Sequence, residues 1–139
     1  MGMDNTLTLP ASLSTPNPTK AVLWTSRILA GLATAFLAVD AAMKVIAIAP
    51  VVDASTKLGF SASAVQPIGL TLLVATILFA IPRTAVLGAL FVTAYLGGAT
   101  ATLVHASQSI YFPVLFGVVI WASLLMRRPQ LRAILLPSI

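Results

Sequence analysis

TAVLGALFVTAYLGGATATLV, residues 84–104, is the stretch that decides the fold, because it carries no charge over the length of a membrane crossing. A helix needs about 20 mostly apolar residues to cross the hydrocarbon of a bilayer. Three further apolar runs meet that length or nearly do, at residues 22–48, 63–82 and 110–126. Pro82 separates the second run from the third. We therefore predict an all-α fold, a transmembrane four-helix bundle.

Composition supports a membrane location. Of the 139 residues, 59% are hydrophobic and only 8% are charged, whereas about a quarter of the residues of a soluble domain are charged. The net charge of +5 comes from basic residues that stand singly between apolar runs. A nucleic-acid-binding protein gathers them into a patch. We expect the lipid bilayer as a partner and no nucleic acid.

The chain divides into a tail and one membrane domain. Residues 1–19 are rich in Thr, Ser, Asn and Pro, which predicts a disordered polar tail. Residues 20–137 form the predicted membrane domain, in which residues 50–62 are the longest connection. The second span contains Pro67 in its predicted first turn, where a missing N–H costs little.

Basic residues predict the orientation. Six of them flank one side of the predicted spans: Lys20, Arg27, Arg83, Arg127, Arg128 and Arg132. The other side has Lys44 and Lys57. Because loops rich in Lys and Arg stay in the cytoplasm, both termini are predicted on the cytoplasmic side, N-in and C-in.

Asp40 and Lys44 are charged residues within the first predicted span. Charge inside hydrocarbon is costly and usually has a reason. Their i, i+4 spacing places both on one helix face, with the acid before the base. One interpretation is a self-neutralised pair that fixes the rotation of the helix. The other is the polar floor of a ligand pocket or a proton site.

Further polar residues are predicted at the same end of the bundle, and Tyr95 lies close enough to the middle of its span to reach Asp40. A convergent polar group at the mouth of a bundle is a candidate ligand site. Alternatively, these helix ends are polar only because they meet headgroups and water. The candidate pocket residues are Asp40, Lys44, Gln66, Tyr95, Thr102, His105 and Tyr111.

Glycines in the third span indicate helix packing. Small residues spaced four apart let helix backbones approach closely in lipid. Gly97 lies in one such series and Gly98 in another, and Gly88 precedes both. We assign Gly88, Gly97 and Gly98 to helix packing.

Motifs for independent catalysis are absent from the sequence. It contains no cysteine, no glutamate and a single histidine, so disulfides, cysteine-ligated clusters and a recognisable metal site are excluded within this chain. No phosphate-binding glycine loop and no Ser-His-acid set is present. We therefore lean against enzymatic activity and assign no catalytic residue.

The run Ile81–Ala89, followed by Tyr95-Leu96-Gly97-Gly98-Ala99, resembles the signature region of the DoxX-like family of small four-helix bacterial membrane proteins. The resemblance extends over about residues 27–137. It implies a four-helix bundle in the bacterial cytoplasmic membrane. It also implies an association with redox or stress systems, since the family name comes from a subunit linked to quinone-dependent oxidation. An acidic residue that near members often carry in the second span is replaced by Leu72 and its apolar neighbours.

Three functions remain open at the level of sequence. The first is a non-catalytic accessory or assembly subunit of a membrane complex, which packs against other subunits or against copies of itself. The second is a quinone- or lipid-binding subunit of a membrane oxidoreductase. The third is a small transporter, which the single acid within the spans argues against.

Overall fold

The computed structural model describes residues 17–136, and every regular element in that range is a helix. The predicted all-α class is confirmed. The predicted polar tail, residues 1–19, lies outside the described residues except for its last three, and so does residue 137 at the end of the predicted domain. The helices are α1 Lys20–Ile46, α2 Ala49–Lys57, α3 Ala62–Ala80, α4 Ala85–His105, α5 Tyr111–Arg127 and α6 Pro129–Leu135.

Three helices, α1, α3 and α4, are long and apolar enough to cross a membrane. They coincide with the first three predicted spans. Helix α5 has 17 residues, or about 26 Å at 1.5 Å per residue, which is slightly short of the roughly 30 Å of hydrocarbon. It meets the length criterion only together with α6, and the two helices are bent by 117°. The fourth crossing therefore stays a prediction.

The four long helices share one core. Helix α1 packs against α3 and α5, and α4 packs against the same two helices. Their facing sides bury small and branched apolar residues, among them Leu37, Leu72, Val92 and Ile120. Because short connections join α3 to α4 and α4 to α5, the chain reverses direction at each of them. A hydrogen bond from Gln66 to the Val45 carbonyl places the start of α3 beside the end of α1. The starts of α1 and α4 therefore lie at the same end as the last turns of α3 and α5.

Two groups of side chains distinguish the ends of the helices. We name the end with Lys20, Arg27, Arg83, Arg127, Arg128 and Arg132 the basic end. We name the opposite end, with Asp40, Lys44, Gln66, His105 and Tyr111, the polar end. Both helices next to α3 meet it at a glycine. A Cβ added at Gly88 would lie 2.5 Å from Phe79 Cα, and one added at Gly69 would lie 2.5 Å from Lys44 Cβ.

The predicted connection at residues 50–62 contains a helix that the sequence analysis missed. Helix α1 ends because Ala47 takes a left-handed conformation, with φ 54°. Pro50 then stands in the first turn of α2, where its fixed φ favours helix initiation. Gly59, with φ 93°, follows the end of α2 and turns the chain toward α3.

The predicted position of Pro67 was wrong. Helix α3 begins at Ala62, so Pro67 is its sixth residue and lies inside the helix. The missing N–H leaves the Ser63 carbonyl without its usual helical donor. Counted from the predicted start at residue 63, Pro67 is already the fifth residue, one position beyond the first turn of 3.6 residues.

Candidate functional site

Asp40 and Lys44 form an ion pair one turn apart on α1. The Lys44 ammonium donates a hydrogen bond to Asp40 Oδ1. Only 15% of the Lys44 side chain and 26% of the Asp40 side chain are exposed. Each charge has its counter-charge on the same helix face, so the pair enters the helix packing with little net charge.

Tyr95 brings α4 to the same pair. Its hydroxyl donates to Asp40 Oδ2 over 3.3 Å, so both carboxylate oxygens have a donor. The Lys44 ammonium also lies 5.9 Å from the centroid of the Tyr95 ring, within the range of a cation–π contact. We name Asp40, Lys44 and Tyr95 the polar triad. It links α1 to α4, two helices whose backbones do not approach each other closely.

A cavity of about 140 Å³ adjoins the polar triad between α1, α4 and α5. Asp40 and Tyr95 line one side of it. Phe36, Phe112 and Phe116 line another side, with ring centroids 5.1–5.9 Å apart. An apolar protein cavity of about 150 Å³ takes up a benzene molecule. This cavity therefore has room for a single six-membered ring, with aromatic walls and a polar edge.

Lys44 contacts Asp40 but does not itself line this cavity, and neither do the other predicted pocket residues. The Gln66 amide donates to the Val45 carbonyl over 3.2 Å and ties α3 to the end of α1. The Thr102 hydroxyl bonds within its own helix, to the Gly98 carbonyl. His105 is exposed at the end of α4. Tyr111, the first residue of α5, is 82% exposed.

The sequence analysis missed the three phenylalanines of the cavity wall. One signal for them was available: Phe36 precedes Asp40 by four residues, as Phe112 precedes Phe116. Residues four apart share a helix face, so Phe36 had to face the same way as the acid. The position of α5 opposite that face was not readable from the sequence.

The predicted packing glycines lie in two different environments. Gly88 is buried where α4 crosses α3, whereas Gly97 and Gly98 are exposed. A Cβ added at Gly97 or Gly98 would meet no atom of the described chain within 4 Å. Gly97 lies in a broad apolar groove of about 530 Å³ between α4 and α5. At one side of that groove the Trp121 indole donates to the Thr93 hydroxyl over 2.9 Å.

The chemistry that the polar triad offers is hydrogen bonding at the edge of an apolar cavity. The Tyr95 hydroxyl is a donor and the Asp40 carboxylate an acceptor at this edge, while Lys44 pairs with Asp40 behind it. Within residues 17–136, no three His, Cys, Asp or Glu side chains come together as a metal site. A neutral ring with polar substituents suits such a cavity.

The family model described as the DoxX-like family matches residues 28–123, a range that begins one residue after Arg27 and includes the whole polar triad. No curated protein and no solved structure gives a significant match to the chain.

Proposed function

We propose that this chain, which belongs to the DoxX-like family, is a subunit of a bacterial membrane complex that binds the ring of a lipid-soluble molecule, with quinones as the chemical class. One observation carries the proposal: a ring-sized cavity joins three phenylalanine rings to Asp40 and Tyr95 of the polar triad. The role is binding within a redox-associated complex. This binding role requires no catalytic residues within this chain.

A quinone ring suits both sides of the cavity. Its flat face can stack on Phe36, Phe112 or Phe116, since aromatic pairs are favourable at centroid separations of about 4.5–7 Å. Its carbonyl oxygens accept hydrogen bonds, and the Tyr95 hydroxyl is the donor that lines the cavity. The bond from Tyr95 to Asp40, at 3.3 Å, is long for an O–H···O bond. The hydroxyl can therefore turn to a ligand carbonyl at small cost.

Binding of a short-chain ubiquinone to the purified protein in detergent tests this proposal. Tyr95→Phe removes only the hydroxyl and should weaken binding about three- to tenfold, the value of one hydrogen bond. Tyr111→Phe is the matched control, since the same atom is removed from a side chain outside the cavity. No binding by the unaltered protein, or equal affinity in Tyr95→Phe, would refute the proposal.

The proposed orientation has four crossings, with both termini in the cytoplasm. Helix α5 is the fourth crossing, and α6 lies along the membrane surface after the bend. The distribution of charge supports this orientation, because six cations belong to the basic end and two to the polar end. The cavity then lies in the outer half of the bacterial cytoplasmic membrane.

A second candidate function is that of a non-catalytic assembly subunit. It is favoured by the open face at Gly97 and Gly98 together with the apolar groove beside it. The proposed occupant is a transmembrane helix of another subunit, because small residues allow close helix approach in lipid. Gly97→Leu should abolish co-purification of a membrane partner after mild detergent extraction while the protein itself stays folded. Partner-free protein at native expression would exclude this function.

A further inference from the structure

The basic end holds a cluster of arginines without a carboxylate. Between residues 17 and 136 the acids are Asp40 and Asp53, on α1 near its end and on α2, both toward the polar end. The guanidinium groups of Arg27 and Arg128 therefore repel that of Arg127 without a compensating acid. Like charges held together in a folded protein commonly mark the binding of a counter-charge.

Arg127 is the most constrained member of this cluster. Its Nε donates to the Ser123 carbonyl one turn back along α5, over 3.3 Å. That bond holds the side chain against the helix. Its Nη2 is buried and has no hydrogen-bond partner among the described residues. A buried donor without an acceptor is destabilising, and more so when it is charged.

Arg128 connects this cluster to the turn between α3 and α4. Its Nη2 donates to the Pro82 carbonyl, which leaves its other guanidinium N–H groups for further acceptors. Helix α4 begins directly after that turn. The Thr84 hydroxyl donates to the Leu78 carbonyl and does not cap α4. The first N–H groups of α4 therefore add positive potential beside Arg128.

We propose that Arg27, Arg127 and Arg128 bind a phosphate group at the basic end, as the headgroup of an anionic phospholipid or as free phosphate. A phosphate has several acceptor oxygens, and the planar fork of N–H groups on arginine matches them in pairs. It supplies the missing negative charge, and it supplies an acceptor for Arg127 Nη2 once that side chain turns out of its buried position. This site is separate from the cavity at the polar end.

Helix α6 places apolar side chains beside the same cluster. It bends away from α5 by 117°, and Leu131 packs against the core. Ile134 and Leu135 are exposed on α6, while Arg132 lies on the same short helix. A helix with this combination suits the boundary between headgroups and acyl chains, where lipid phosphates are found.

Native mass spectrometry of the full-length protein in detergent measures the binding of added phosphatidylglycerol and phosphatidylcholine. Phosphatidylglycerol should bind more tightly. Replacing one arginine should weaken the binding of phosphatidylglycerol about fivefold, because each basic residue near an anionic surface contributes about 1 kcal/mol. Arg127→Gln alters a buried donor and could disturb the fold. It is therefore paired with Arg27→Gln, which changes an exposed side chain. Lys57→Gln, an exposed cation on α2, is the control and should bind unchanged.

A parallel titration with sodium phosphate, against sodium chloride at equal ionic strength, distinguishes the two sources. If phosphate displaces phosphatidylglycerol at millimolar concentration, the site takes free phosphate. If only the lipid binds, the ligand is the headgroup. Either result supports the site. Equal binding of the two lipids with no effect of phosphate, or an equal loss in Lys57→Gln, overturns it.

Discussion

At the scale of single residues, Asp40 determines the arrangement of the polar end. One carboxylate oxygen accepts from Lys44 and the other from Tyr95. Asp40 follows Arg27 by 13 residues of continuous helix, or about 20 Å at 1.5 Å per residue. With Arg27 at one membrane interface, Asp40 would lie beyond the middle of the hydrocarbon. An unpaired carboxylate at that depth would be costly, and the ion pair with Lys44 avoids this cost.

Single substitutions in this pair should be more harmful than the double substitution. Asp40→Leu leaves the Lys44 ammonium without its carboxylate, and Lys44→Met does the reverse. Each should lower the free energy of unfolding by about 1–3 kcal/mol, less than for a fully buried pair because both side chains retain some exposure. The double variant should lose less than the sum of the two. Unfolding by SDS titration in mixed micelles measures all three proteins. Additive losses would show that the two side chains act independently.

The sequence predicted this pair but not its surroundings. The i, i+4 spacing of Asp40 and Lys44 was sufficient to place them on one helix face. The position of Tyr95 within its span also made contact with Asp40 reachable. Which side of α4 and α5 faces inward depends on the rotation of each helix about its own axis. Apolar residues all around these helices leave rotation undetermined. His105 and Tyr111 therefore turned out to be exposed, and the phenylalanine wall was missed.

At the scale of helices, close crossings depend on glycine at specific positions. Gly88 and Gly69 allow the backbone of α3 to meet α4 and α1, respectively. Gly97 and Gly98 have the same residue type and a similar setting in the sequence, yet they are exposed. Spacing alone indicates that small residues share a face. It does not indicate whether a helix of the same chain covers that face.

Alanine substitutions should separate these two kinds of glycine. Gly88→Ala inserts a methyl group 2.5 Å from Phe79 Cα, which is backbone and cannot move aside. We expect a loss of about 1–3 kcal/mol in the free energy of unfolding. Gly97→Ala, the matched control, meets open space and should gain up to about 1 kcal/mol from helix propensity. SDS titration measures both variants. A similar response in the two variants would contradict the close crossing of α3 and α4.

Boundaries of helices were predicted best where a residue forces them. Pro82 separates α3 from α4 in the sequence and in the structure. The short helices α2 and α6 were missed, because each has fewer than ten residues and too little apolar periodicity to be recognised. Both begin with proline in the first turn, and that signal was available in retrospect.

At the scale of the whole molecule, the two ends differ in chemistry. The polar end contains an internally neutralised triad beside an aromatic cavity. The basic end contains arginines that lack acids. In the proposed orientation the first faces the outside of the cell and the second faces the cytoplasm, where anionic lipid phosphates attract basic residues.

Cysteine labelling tests that orientation directly, because the chain has no native cysteine. Single cysteines at Asn17, Gln108 and Ala133 replace exposed residues. A membrane-impermeant thiol reagent applied to intact cells should label only Gln108→Cys. After the cells are opened, all three should react. Labelling of Asn17→Cys in intact cells would reverse the proposed orientation, and unequal labelling of Asn17→Cys and Ala133→Cys would exclude an even number of crossings.

The central claim is that the cavity between α1, α4 and α5 holds a ring compound, and its occupancy in protein taken from native membranes tests this most directly. Ala99 lines the cavity, so Ala99→Leu should fill it while leaving the polar triad intact. Ala101→Leu adds the same atoms at an exposed position of α4. Native mass spectrometry should find a quinone-class molecule bound to the unaltered protein and to Ala101→Leu but not to Ala99→Leu. An unaltered protein without any bound ring compound, or equal occupancy in Ala99→Leu, would contradict the claim.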